Sequence, residues 1–165
     1  MGKLDNRIIV STGASRGIGY FAALQMVREG AHVIAIARTV GGLEELDDAA
    51  KELPGSLTLV PMDVTDYEAI DRLGGVIHER WGRLDGFFAN AGILGPVSPF
   101  AHVGTKDFDR VMAVNVTANW RFIRSFDALF KASDSARLLF MTSGATSPIK
   151  PFMGPYTMSK AALEA

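Results

Sequence analysis

One stretch limits the fold more than any other: "RIIVSTGASRGIGYFAALQMVREG", residues 7–30. An apolar run, RIIVST, passes into glycines at 13, 17 and 19 and then into a helical segment. A strand that turns straight into a helix through glycine has a mechanical use in dinucleotide binding. The first glycine permits a tight turn, the second lets backbone approach a pyrophosphate, and the third lets the helix lie close on the sheet. The helix N-terminus then offers unpaired N–H donors to an anion. The spacing is G-x-x-x-G-x-G, not the better-known G-x-G-x-x-G. Three loop glycines in a chain that has 17 would mean little; their place at the first strand–helix junction is what points to a nucleotide.

The same alternation continues downstream. Further strand candidates are HVIAIA (32–37), LTLVPM (57–62), LDGFFA (84–89) and ARLLFMT (136–142). The runs are nearly continuous in apolar residues, as in parallel strands covered on both faces. Between them, Ile70, Leu73, Ile77 and Trp81 share one helical face, and Thr65 with Glu68 reads as a capping box. GGLEELDDAAKEL forms another helix, stopped by Pro54–Gly55, and a long helix is expected from about Asp107 to Lys131. Repeated strand–helix units with right-handed crossovers give an α/β fold, a doubly wound, Rossmann-like parallel sheet of order 3-2-1-4-5. The 165 residues suit a single dinucleotide-binding domain.

Composition excludes several classes of function. A net charge of −1 offers nothing to nucleic acid or an anionic membrane. No apolar run approaches the ~20 residues that span a bilayer. With no cysteine, disulfides and thiolate metal sites are excluded, which fits a cytoplasmic location. His32, His78 and His102 lack ligand spacing, so no metal is expected.

TGASRGIG at 12–19 resembles the cofactor loop of the short-chain dehydrogenase/reductases, and the likeness continues in order. Asp63–Val64 resembles the pair after the third strand, where the acid meets adenine, and ANAG at 89–92 resembles the NNAG after the fourth. VNV at 114–116 resembles the segment that carries a catalytic asparagine. Ser143 stands thirteen residues before Tyr156, and Tyr156-x-x-x-Lys160 resembles the catalytic pair. The resemblance implies cofactor contacts from Thr12, Gly13, Ser15, Arg16, Gly17, Ile18, Gly19, Asp63, Val64, Asn90, Ala91, Gly92, Tyr156 and Lys160. It implies a catalytic set of Asn115, Ser143, Tyr156 and Lys160. Taken singly, these residues also read as a surface aromatic, a solvated charge and a turn serine; Asn115, inside an apolar run, reads as a structural tie or a relay member.

The chemistry of the pair follows from its spacing. Residues four apart share a helical face. Free tyrosine, with a pKa near ~10, is a poor base at neutral pH, and an adjacent ammonium favours its phenolate. By the resemblance, Tyr156 gives a proton to a carbonyl oxygen as hydride arrives, or takes one from an alcohol. Ser143 hydrogen-bonds the substrate oxygen, Lys160 also holds the nicotinamide ribose, and Asn115 anchors a relay water.

At the end of the second strand, NAD-preferring relatives carry an acid; here Ala37 and Arg38 stand. An arginine suits a 2′-phosphate, with Arg16 as a second cation, so NADP(H) is expected in preference to NAD(H). The loops 93–105 and 144–155 are expected to border the substrate pocket, with Pro96, Phe100, Ile149 and Phe152 as an apolar wall. SKAALEA has no helix stop signal, and ARLLFMT would lie at an open sheet edge. The sequence therefore reads as the front portion of a longer enzyme that lacks the family's C-terminal strands, and the complete enzyme as a homodimer or homotetramer. The expected function is an NADP-dependent oxidoreductase acting on a small carbonyl or alcohol. The alternatives are a dinucleotide-binding module without turnover and a structural domain on the same fold.

Overall fold

The computed structural model describes residues 2–165. Its strands are β1 (Ile8–Thr12), β2 (His32–Ala37), β3 (Ser56–Pro61), β4 (Gly86–Ala89) and β5 (Arg137–Phe140). The helices are α1 (Gly17–Arg28), α2 (Val40–Ala50), α3 (Tyr67–Trp81), α4 (Thr105–Met112), α5 (Ala118–Lys131) and α6 (Gly154–Glu164). Every strand pairing is parallel and the order is β3-β2-β1-β4-β5, as the strand–helix alternation predicts.

The pleat of each strand sorts its side chains between two cores. Val10, Ile34 and Phe87 face α3 and α5, where they meet Ile70, Ile77, Phe122 and Phe126. Ile9, Val33 and Ala35 face α1 and α2, where Ala23, Val27, Leu43 and Leu46 cover them. Phe87 anchors the first core, its ring centroid 5.2 Å from that of Phe122 and 5.9 Å from that of Phe140. Burying such a ring stabilises the fold by about 2–3 kcal/mol. β1 and β4 are buried throughout, whereas β3 and β5, at the two edges, are partly exposed. Expected cover on both faces thus holds for the interior strands and fails at the edges, where Leu139 is 61% exposed.

Two local expectations need correction. Thr65 does not cap α3. Its N–H and hydroxyl both donate to Asp63 Oδ1, at 2.9 and 2.8 Å, and Asp66 Oδ1 caps the helix one residue later by accepting from the Ala69 N–H at 2.9 Å. Asp63 takes the Thr65 N–H that a capping box would offer to Glu68, and Asp66, as the N-cap residue, supplies the oxygen that accepts from the helix. The expected helix from Asp107 to Lys131 starts at Thr105 and is interrupted by a π-turn at Ala113–Thr117. That turn is centred on Asn115, whose backbone carbonyl accepts from Asn119 Nδ2 at 2.7 Å.

The two ends of the sheet do different work. At the N-terminal end, the Asp85 side chain is 1% exposed. It accepts from the Ile8 N–H at 2.9 Å, from Ser133 Oγ at 2.6 Å, and from Arg7 and Arg83 at 3.3 Å. Burial works against the charged form, but these partners outweigh it and hold the carboxyl below its ordinary range. At the β2–β3 edge, His32 lies between Ser56 Oγ (2.7 Å) and Thr58 Oγ1 (2.9 Å), with its ring 4.9 Å from that of Trp81. Burial, aided by the positive charge of Arg80, pushes the His32 pKa down. The C-terminal end of the sheet, where open α/β sheets place their ligands, carries the glycine-rich turn.

Candidate active site

The turn after β1 is built for close approach. Gly13 has φ +67° and Gly17 has φ +57°, in the left-handed region that side chains avoid. A Cβ at Gly19 would stand 2.2 Å from the Gly13 carbonyl oxygen, so α1 starts against the turn with no room for a side chain. Arg16 precedes α1 in an extended conformation and makes no side-chain cap, which leaves the first N–H groups of the helix free for an anion.

Thr12 and Asn90 fasten this turn to the one after β4. Thr12 Oγ1 accepts from the N–H groups of Asn90 and Ala91, each at 3.0 Å, and Asn90 Nδ2 donates to the carbonyls of Thr12 (3.1 Å) and Gly13 (3.3 Å). The Thr12 side chain thus holds the floor of the site, while Asn90 both ties that floor and lines the cleft above it. Ala89, where a second asparagine is common in the family, is simply a buried strand end.

A cleft opens above this floor. Gly13, Ser15, Arg16, Arg38, Asp63, Val64, Asn90, Ala91 and Gly92 line it, together with Met62, Ile93 and Val114 among others. Thr12 and Gly19 are buried beneath the loop, while Gly17 and Ile18 form the exposed first turn of α1. Arg38 does not stand free. Its Nη1 lies 3.7 Å from Asp63 Oδ2, a pairing that sequence reasoning missed because it joins the ends of two different strands.

A second cleft adjoins the first and shares Asn90, Gly92 and Ile93 with it. Ser143, Tyr156 and Lys160 line it together. Pro155, in the first turn of α6, fixes the helical start, and the Lys160 ammonium lies 5.7 Å from the centroid of the Tyr156 ring. Lys160 is 4% exposed and donates to the Met141 carbonyl at 2.6 Å. Burial pushes its pKa below the ordinary lysine value. One hydrogen bond leaves two ammonium protons for other acceptors. Ser143 Oγ accepts from the Ala145 N–H at 3.2 Å and keeps its own proton to give.

Asn115 is fully buried and ties three segments together. Oδ1 accepts from the Ile93 N–H, and Nδ2 donates to the Ile93 carbonyl and to Ser159 Oγ, all at 2.9 Å. Ser159 in turn donates to the Tyr156 carbonyl at 2.7 Å. A Cβ at Gly92 would meet Asn115 Oδ1 at 3.4 Å and Lys160 Nζ at 3.5 Å, so the two groups converge on that glycine. Sequence reasoning missed Ser159 and Asn119; their one visible signal is a small or amide side chain on an otherwise apolar helical face.

The loops 93–105 and 144–155 do meet, through a 3.0 Å bond from the Ser98 N–H to the Phe152 carbonyl. The expected apolar wall is different, however. Phe100, Ile149 and Phe152 are 57%, 74% and 56% exposed, and the second cleft is lined instead by Ile93, Leu94, Ala145 and Met153. Phe152 adopts φ +64°.

Parallel order, glycine-rich first turn and adjoining clefts at the strand C-termini define a Rossmann-like α/β protein. The short chain dehydrogenase profile matches residues 7–165, and the chain belongs to that family. It is 33% identical over 164 residues to the uncharacterized oxidoreductase YciK of Escherichia coli, covering 98% of this chain and 65% of the relative. It is 31% identical to the sorbitol dehydrogenase of Cereibacter sphaeroides, covering 98% and 62%. A short chain dehydrogenase from Shigella flexneri 2a, solved in complex with NADP, is 32% identical and superposes with a TM-score of 0.89, covering 99% of this chain and 70% of that one. The chain thus spans less than two thirds of the length of these two sequence relatives.

Proposed function

We propose that this chain is the dinucleotide-binding and catalytic portion of an NADP(H)-dependent oxidoreductase that interconverts a small carbonyl compound and its alcohol. The observation that carries this reading is the adjoining of the two clefts. The glycine-turn cleft and the cleft with Ser143, Tyr156 and Lys160 share the wall formed by Asn90, Gly92 and Ile93.

The residues present fit a dinucleotide. The open N-terminus of α1 and the absence of side chains at Gly13 and Gly17 suit a pyrophosphate. Arg38 and Arg16 suit a 2′-phosphate, and Asp63 and Val64 border the adenine end. The NADP bound by the Shigella relative supports the same choice of cofactor. When bound, the nicotinamide gives or accepts the hydride. Tyr156 Oη gives the proton to the carbonyl oxygen, or takes it from the alcohol. The Lys160 ammonium stabilises the negative charge that then develops on the phenolic oxygen, and its remaining donors hold ribose hydroxyls. Ser143 Oγ donates to the substrate oxygen. Asn115 acts by position, holding Ile93 and Ser159 in register. We further infer that the whole protein works in the cytoplasm as a homodimer or homotetramer.

Fluorescence titration with NADPH and NADH, followed by turnover assays with aldehydes, ketones and secondary alcohols, tests the reading. Tighter binding of NADPH is expected. Failure to bind either dinucleotide would overturn it.

A further inference from the structure

Arg38 and Asp63 face each other in the cleft with their side chains 59% and 43% exposed. The two partners are not equally free to move. Asp63 Oδ1 is fixed by the N–H and the hydroxyl of Thr65, which leaves Oδ2 directed at Arg38. Arg38 has no other ion pair or side-chain hydrogen bond among the described residues, so its long side chain is the mobile partner. Burial opposes the charge on Asp63, but the Thr65 bonds outweigh it, and Arg38 and Arg110 add to them. The carboxyl is held below its ordinary range and is anionic at neutral pH.

We propose, resting on the 2′-phosphate reading of Arg38, that Asp63 is a specificity-determining residue whose carboxylate competes with the 2′-phosphate for the Arg38 guanidinium. A phosphate that engages Arg38 must either displace Asp63 Oδ2 or share the guanidinium with it. Both routes weaken phosphate binding, the first by loss of the existing ion pair and the second by repulsion between two anions. A nucleotide with a free 2′-hydroxyl carries no such charge and leaves the pair intact. Asp63 therefore lowers the cleft's discrimination in favour of 2′-phosphorylated nucleotides and retains affinity for both kinds. Arg16, which lines the same cleft and makes no ion pair among the described residues, has no competing anion. It supplies the part of the phosphate attraction that Asp63 does not moderate.

The geometry gives a clean substitution. Asp63→Asn keeps an oxygen for Thr65 and places an amide NH₂ where Oδ2 faced Arg38. The exposed pair sets the scale, so its loss is expected to raise discrimination about two- to fivefold. Isothermal titration of 2′,5′-ADP and 5′-AMP, on wild type, Asp63→Asn, Arg38→Met and the double variant, measures it. The ratio of the two affinities cancels any contact that Asp63 makes with adenine. The ratio should favour 2′,5′-ADP in wild type, rise in Asp63→Asn, and not respond to the Asp63 change in the Arg38→Met background. Asp63→Ser, which retains a hydroxyl near Thr65, should raise the ratio as well if the asparagine variant folds poorly. An unchanged or lower ratio in the Asp63 variants overturns the proposal. An equal rise without Arg38 also overturns it, since Asp63 would then act on the phosphate directly. A wild type that does not prefer 2′,5′-ADP removes the underlying 2′-phosphate reading instead, a result distinct from the other two.

Discussion

Replacing Gly19 by alanine probes the closest contact in the site. The added Cβ would lie 2.2 Å from the Gly13 oxygen and 2.5 Å from Asn90 Nδ2. Ordinary contact begins at about 3.4 Å, so helix and turn must part by roughly 1.2 Å, the difference between 3.4 and 2.2. Overpacking of this kind costs about 1–3 kcal/mol. The displaced Gly13 carbonyl also loses its bond from Asn90, worth about 1 kcal/mol. Alanine returns about 1 kcal/mol through its better helix propensity. The net loss is about 1–3 kcal/mol, which at roughly 2–4 °C per kcal/mol lowers Tm by about 2–12 °C. Two further glycines calibrate the experiment. Gly75, on the exposed face of α3, has open space where a Cβ would go, so Gly75→Ala should raise Tm by roughly 1–4 °C. Gly17 also has open space but sits at φ +57°, so Gly17→Ala should cost about 1–2 kcal/mol through backbone strain alone. Calorimetry of the three variants, with dinucleotide titration, separates contact, conformation and propensity. If Gly19→Ala melts with Gly75→Ala and binds dinucleotide as wild type does, the close approach of α1 to the turn has no energetic meaning.

In the active enzyme, Tyr156→Phe should lower kcat by about 10²- to 10⁴-fold and leave the dinucleotide Kd unchanged, since only the phenolic proton is lost. A fall under tenfold in steady-state assays would remove Tyr156 from proton transfer. Asp85→Asn should cost about 2–3 kcal/mol at pH 7 by urea unfolding, because a nearly inaccessible charged acceptor loses its partners. The folded pKa of Asp85 is depressed, so its stabilisation is present above about pH 4 and lost as pH falls through the folded value. The asparagine variant should therefore show a flatter acid limb than wild type. His32 binds its proton less readily folded than unfolded, so stability should fall as pH drops below about 6.5, and His32→Gln should flatten urea midpoints measured between pH 5 and 7.

The fold was legible because its determinants are local. Apolar runs such as HVIAIA, identical in extent to β2, and a glycine turn between strand and helix leave few ways to build a sheet. The gathering of Ser143, Tyr156 and Lys160 around one cleft followed from family order. What was not legible depends on register between segments far apart in the chain. Arg38 and Asp63 follow different strands, and only the pairing of Ala37 with Pro61 in the sheet brings them together. The role of Asn90 as a tie to Thr12 needs the β1–β4 alignment, 78 residues across. The π-turn at Asn115 leaves no trace in helical periodicity, because it falls in VMAVNVTA (111–118), a run apolar on nearly every side that defines no stripe to be displaced. Thr65 fits the pattern of a capping box, yet a neighbouring carboxylate decides where its hydrogens go.

The three bonds of the Asn115 amide make distant parts of the chain open together. Hydrogen exchange at the Ile93 N–H requires the bond to Asn115 to break, and that same amide is anchored on Ser159 in α6, 44 residues further on. A fluctuation that lifts the loop after β4 thus loosens the first turns of α6, and one that frays α6 weakens the loop. The protection of this single amide proton therefore reports on openings that involve α6, the helix of Tyr156 and Lys160, from a residue in the wall that the two clefts share.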